Sequence, residues 1–157
     1  MANFYTDTIC TDSRMDSIAR VSDIALLEPV TRKAVQQIIL AAGAQGITLS
    51  AFETFRSQVR QQFLFTQGAT KLQTVGVHHY GLACDLVVMI GGEPTWKVDY
   101  IFLQALAKQF GLIWGGDWGT PGTLHKFVDS DHVQRITIPQ QGALFAGTWY
   151  PDSQGVA

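Results

Sequence analysis

The chain has 157 residues, 46% of them apolar and 15% charged, with a formal net charge of −2. That size and composition allow one globular domain with a real core and argue against disorder. No Lys/Arg cluster makes a basic face for nucleic acid, and no apolar run approaches the roughly 18 to 20 residues that cross a bilayer, so neither partner is expected.

At the start, MANFYTDTICTDSRMDS holds neither a basic opening nor an apolar run. No secretory leader is read there, and synthesis in the cytoplasm is expected. Cys10 and Cys84 stand far apart in no metal or redox spacing, so both are expected as free thiols, Cys84 as a small packing residue. No repeat or linker divides the sequence, which reads as one domain over 1–157 with its core at about 20–138 and loose ends.

Residues 30–44, VTRKAVQQIILAAGA, set Ala34, Val35, Ile38, Ile39 and Ala42 on one helical face, with Gly43 and Gly46 as the stop. ITLSAF (47–52) alternates as a half-buried strand does. SQVRQQFLFTQ (57–67) predicts a helix capped by Ser57 and stopped at Gly68. LACDLVVMI (82–90) has the β-branched run of a strand buried on both faces, and Gly91-Gly92 then turns the chain. Residues 96–110 predict a helix with Phe102, Leu103, Leu106 and Phe110 inward. LIWGGDW, KFVD and HVQRITI read as short strands around a Gly/Pro loop. This order predicts an α+β domain, a small and mainly antiparallel sheet with helices packed on it.

Chemistry concentrates in HHYGLACD (78–85). A turn at Tyr80-Gly81 can fold His78 back towards Asp85. Zinc takes imidazole nitrogen and carboxylate oxygen at about 2.0–2.2 Å, and a catalytic zinc has three protein ligands, so a third must come from elsewhere. The other histidines are His125, in the Gly/Pro loop, and His132, in FVDSDHVQ behind Asp129 and Asp131. A closing histidine beside a carboxylate that does not ligate is what a hydrolytic zinc site needs, the carboxylate taking a proton from water.

HHYGLACD fits the pattern H-x-x-G-x-A-x-D, DSDH (129–132) fits the D-x-x-H element that follows it, WGGDW (114–118) lies between, and FRSQVRQQFLFTQG (55–68) precedes them. In this order they resemble the peptidase family M15, the zinc D-Ala-D-Ala carboxypeptidases and L-alanyl-D-glutamate endopeptidases, and most of all its endolysin-like branch. The resemblance spans roughly residues 20–138. It implies the hedgehog/D-Ala-D-Ala peptidase-like zinc fold, with Zn2+ as cofactor and a peptidoglycan stem peptide as substrate. His78, Asp85 and His132 would be its zinc ligands and Asp129 its general base. Arg56 would bind substrate and steady the oxyanion, a task suited to a guanidinium that stays charged and donates two hydrogen bonds. Trp114 and Trp118 would flank the cleft, and His125 would line it.

Two positions depart from the pattern. Gly76 stands where the family commonly has Ser, and Val133-Gln134 where it has Phe-Glu, so the group behind the last histidine differs. His79 is placed on the surface or behind the ligands. Strand parity does not choose between Asp129 and Asp131; the family spacing favours Asp129 and requires a bend at Ser130-Asp131.

The resulting expectation is a monomeric zinc peptidase cutting the L-alanyl-D-glutamate bond, reaching the wall after phage-type lysis. D-Ala-D-Ala cleavage, or a zinc-binding module without hydrolysis, are the alternatives; a retained Asp129 favours catalysis.

Overall fold

The computed structural model of the chain describes residues 2–70, 72–117 and 129–151. Helix α1 spans Pro29–Ala44. Its start is fixed by Glu28, whose carboxylate accepts from the Val30 and Thr31 backbone amides, and by Pro29, whose locked φ suits a first turn. Ala34, Val35, Ile38 and Ala42 form its buried stripe.

Strand β1 (Leu49–Glu53) pairs antiparallel with β2 (Ala83–Ile90), and helix α2 (Gln58–Thr66) lies between them in sequence, capped by Ser57 as expected. Successive β2 side chains alternate between faces. Cys84, Leu86 and Val88 join the core that α1 and helix α3 (Phe102–Gln109) cover, while Ala83 and Asp85 face the opposite way. Cys84 is fully buried, and burial pushes its thiol well above the ordinary range. It is a packing residue.

Strand β4 (Ile113–Trp114) and strand β5 (His132–Gln134) complete the sheet in the order β1-β2-β5-β4, with β3 (Glu93–Thr95) paired to β2 beside this path. All pairings among the described residues are antiparallel. The expected α+β architecture is what the chain forms.

Several boundaries differ from the sequence reading. Gly91-Gly92 does turn the chain, but into a hairpin with β3, a strand hidden in sequence by Pro94 and by its shortness. Helix α3 starts at Phe102, not 96, because the preceding residues serve β2. The Tyr100 hydroxyl accepts from the Val88 amide (2.9 Å) and donates to the Thr95 carbonyl (2.6 Å). HVQRITI is a strand only to Gln134; Ile138–Phe145 is helix α4, started by a Thr137/Gln140 capping box. Of KFVD, only Asp129 lies within the described residues, outside any strand.

Nor are the chain ends loose where they are described. A π-helical turn at Tyr5–Ile9 buries Ile9 with Val21, Leu26 and Phe55. At the other end Leu144 packs with Val77, Leu82, Ala83 and Ile136. Both clusters sit against the turn that precedes β2. Among the described residues no helix is long and apolar enough to cross a membrane.

Candidate metal centre

Sheet register builds one side of the site. Glu53 of β1 pairs with Asp85 of β2, which pairs with His132 of β5. Directly paired residues project from the same face. Three chemically active side chains therefore form one row across three strands.

His78 enters from outside the sheet. It lies in a 3-10 turn, Val77–Tyr80, that ends at Gly81 with φ 73°. A Cβ at Gly81 would sit 2.7 Å from the Leu26 carbonyl oxygen and 2.8 Å from Ile9 Cδ1, so glycine is needed for space as well as for backbone angle. The reversal brings His78 Nε2 to 3.2 Å from Asp85 Oδ1, while His132 Nδ1 approaches the same oxygen at 3.1 Å. Donor atoms of His78, Asp85 and His132 all lie within 4.8 Å of one another, and all three residues are buried.

The outward ring nitrogens fix the inward ones. His78 Nδ1–H donates to the Thr54 carbonyl (2.9 Å), which leaves Nε2 as the nitrogen turned towards Asp85. His132 Nε2–H donates to Gln134 Oε1 (2.8 Å), and Gln134 in turn donates its amide to the Ile136 carbonyl (2.6 Å), which sets which end of the amide faces the ring. Ligating imidazoles are commonly oriented by such a second bond. Two inward imidazole nitrogens and one carboxylate converging in a buried corner fit a tetrahedral metal with an open fourth position once the imidazoles are neutral.

Charge reinforces the arrangement. Burial alone would raise the Asp85 pKa, but the charge and hydrogen bonds of His78 and His132 hold it well below the usual carboxylate range. Burial would lower that of His132, but the Asp85 hydrogen bond and charge, with Asp129 behind them, raise it. The corner is electrostatically a cation site.

Asp129 stands at the rim, Oδ2 4.0 Å from His132 Nδ1, its side chain 36% exposed. The expected bend is present: the Asp129 carbonyl accepts from the His132 amide (3.2 Å), closing a turn through Ser130-Asp131. The Asp131 carboxyl bonds to that of Asp129, and burial together with that bond and the charges of Asp85 and Asp129 pushes its pKa up to about 8. Trp96 Nε1 donates to Asp131 Oδ2 (3.0 Å). Asp131 is thus a partner of Asp129 that stays largely protonated at neutral pH.

No family model matches the sequence. Over 129 residues the chain is 29% identical to the peptidoglycan L-alanyl-D-glutamate endopeptidase CwlK of Bacillus subtilis (strain 168), covering 70% of this chain and 74% of that one. The fold matches the L-Ala D-Glu endopeptidase ChiX of Serratia marcescens with a TM-score of 0.60 at 20% identity, over 79% of this chain and 94% of that one. A VanY D,D-pentapeptidase variant in complex with Zn(II) matches at TM-score 0.51 and 16% identity, over 82% and 83%. These relatives and neighbours are M15-type peptidases, the family that the sequence motifs resemble.

Beside this row, Arg56 is held rather than free. Its guanidinium donates to both Glu53 oxygens (2.8 and 3.1 Å) and lies 3.6 Å from Asp85 Oδ2. Burial would lower its pKa, but the Glu53 hydrogen bond and the charges of Glu53, Asp85 and Asp129 raise it. Arg60 braces the same carboxylate at 2.5 Å. Glu53 was missed in the sequence reading; its only signal there was a carboxylate three residues before Arg56.

Trp114 does not flank a cleft. It is 7% exposed, packs in the core beside Leu112 and Val133, and donates Nε1–H to the Ser130 carbonyl (2.7 Å). A Cβ at the next residue, Gly115, would collide with the Asp129 carbonyl oxygen. Trp114 and Gly115 therefore support the Asp129 turn from below. Trp118 and His125 lie outside the described residues.

His79 is not a surface residue either. It is 6% exposed because the N-terminal turn and Phe55 cover it. Nδ1–H donates to the Arg56 carbonyl (3.1 Å) and Nε2 meets the Tyr5 hydroxyl (2.8 Å), so it braces the Arg56 segment from behind. Gly76, where the family commonly has Ser, has room for a Cβ: its nearest neighbour would be Leu72 Cδ1 at 3.9 Å.

Proposed function

We propose that this chain is a zinc metallopeptidase that hydrolyses peptidoglycan stem peptides at the L-alanyl-D-glutamate bond, with His78, Asp85 and His132 as the metal ligands. The observation that carries the reading is the convergence of those three donors with Asp129, a carboxylate beside the ligand set and open to solvent. Likeness to CwlK and ChiX, both named as endopeptidases for that bond, supports the substrate. Zinc is the metal named with the VanY variant.

Bound in this corner, zinc supplies a Lewis acid that polarises a carbonyl and brings the acidity of water near pH 7. Asp129 accepts the proton of the attacking water and returns it to the departing amine, the work of one group acting first as base and then as acid. The Asp131 carboxyl is hydrogen-bonded to that of Asp129, which fixes the direction of the basic oxygen. Arg56, oriented by Glu53, holds a substrate carboxylate or the developing oxyanion. Thr54 and Gln134 keep each imidazole in its ligating tautomer. The enzyme acts in the cell wall as a monomer.

Incubating the purified protein with peptidoglycan, with and without a strong chelator, tests this directly. New N-terminal D-glutamate, abolished by the chelator and restored by zinc, is the expected result. Release of free D-alanine instead would assign the D,D-carboxypeptidase reaction. Lysis that survives metal removal would sink the mechanism.

A further inference from the structure

Trp96 exposes 49% of its surface, yet it is fixed from two directions. Its ring meets the Phe52 ring edge-on (5.0 Å between centroids, 82°), and its Nε1–H is committed to Asp131. Phe52 is the extra residue of a β-bulge: Ala51 pairs with Leu86 and Glu53 with Asp85, leaving Phe52 unpaired between them. The bulge keeps Glu53 in the ligand row while turning Phe52 out beneath Trp96, the way bulges commonly re-aim a side chain beside an active site. The Arg20 guanidinium lies 3.9 Å from the Phe52 ring centroid. An aromatic held this firmly loses little conformational freedom when a ligand covers it.

Trp96, Val98, Asp99 and Tyr100, with the turn of Asp129, Ser130 and Asp131, line a cavity of about 460 Å³. Because the indole N–H is already used, the ring offers a ligand its apolar surface and not a hydrogen bond. Asp129 must reach the departing nitrogen, so the part of the substrate on the amine side of the cut bond lies against the Asp129 wall.

We infer that Trp96, propped by the bulged Phe52, is a substrate-binding residue that packs against the aliphatic surface of stem-peptide residues on the amine side of the scissile bond. This rests on the peptidase reading above. It assigns Trp96 the recognition of substrate length on the leaving side.

Two synthetic stem peptides test it, one ending at the first residue beyond the scissile bond and one extended by two more. The readout is the ratio of their kcat/KM values, in which any general loss of activity cancels. In the wild type the longer peptide is favoured roughly three- to tenfold, the scale of one aromatic contact, chiefly through KM. Trp96→Phe keeps most of that ratio, since it keeps a ring, whereas Trp96→Ala brings it close to one. An unchanged ratio in Trp96→Ala, or a wild-type ratio of one, overturns the inference. Calorimetric binding of the same two peptides to Asp129→Asn protein, with and without Trp96→Ala, gives the ratio independently of turnover. A wild type that binds the longer peptide better through Trp96 but cuts neither would overturn the peptidase reading and leave Trp96 only as a peptide-binding residue.

Discussion

His78, Asp85 and His132 are each 8% exposed or less, two of them locked by strand register and the third by a turn in which only glycine fits. Asp129, a few ångströms away, is on no strand; it hangs from a turn tied to Gly115 and His132 by backbone hydrogen bonds and to Trp114 through Ser130. The difference follows from what each would do under the proposed mechanism. Ligands work best with no freedom and no water competing for their lone pairs. A proton acceptor must meet water and still return to the same position, so it sits at an open edge over a rigid floor.

The sharpest way to break this comparison is at the ligand row. Asp85→Ala or His132→Ala is expected to empty the protein of zinc by elemental analysis and to lower hydrolysis by more than about a thousandfold, the scale on which losing a central catalytic group is felt. Asp129→Asn is expected to keep its zinc while kcat falls by about 10²- to 10⁴-fold. Zinc lost from that variant would mean that the turn belongs to the ligand set after all, as the proximity of Asp85, Asp129 and Asp131 would then require.

Glu53 sharpens the comparison from the other end of the row. Burial would raise its pKa, but the Arg56 and Arg60 hydrogen bonds lower it. A depressed carboxylate stabilises the fold above its unfolded pKa and loses that contribution as pH falls through the folded value. Glu53→Gln should therefore cost about 3 kcal/mol at pH 7, as breaking a buried ion pair does. The gap to wild type should begin to narrow below about pH 4, where an unfolded Glu becomes protonated, and close only as pH falls through the lower folded value; denaturant melts over that pH range measure it. The smallest effect is expected at Gln134→Leu, which removes the acceptor behind His132 and should weaken zinc by about 10- to 100-fold in a chelator competition. Equal affinity in that variant would show that strand register alone orients the ring.

Much of the site was readable in sequence because its spacing is local. His78 to Asp85 is one turn and a step into a strand, and Asp129 to His132 is one bend; each pattern carries its own geometry. The role of WGGD was misread for a reason that is equally physical. A tryptophan in a Gly-rich stretch looks the same whether its ring lines a cleft or supports a neighbouring turn, and only the contact between Trp114 and Ser130 decides. His79 was invisible as a brace because its partners, Tyr5 and Arg56, come from segments far away in the chain.

By itself, then, the sequence determined the alternation of helices and strands, the glycines at the turns and the candidate metal-binding residues, since these follow from short-range periodicity and side-chain chemistry. Tertiary structure decided which carboxylate faces the ligand row and which is buried behind it, that Glu53 holds Arg56, and that Phe52 is turned out beneath Trp96. Those outcomes depend on register between strands distant in sequence and on which groups are buried together, and neither is encoded in any one stretch of the chain.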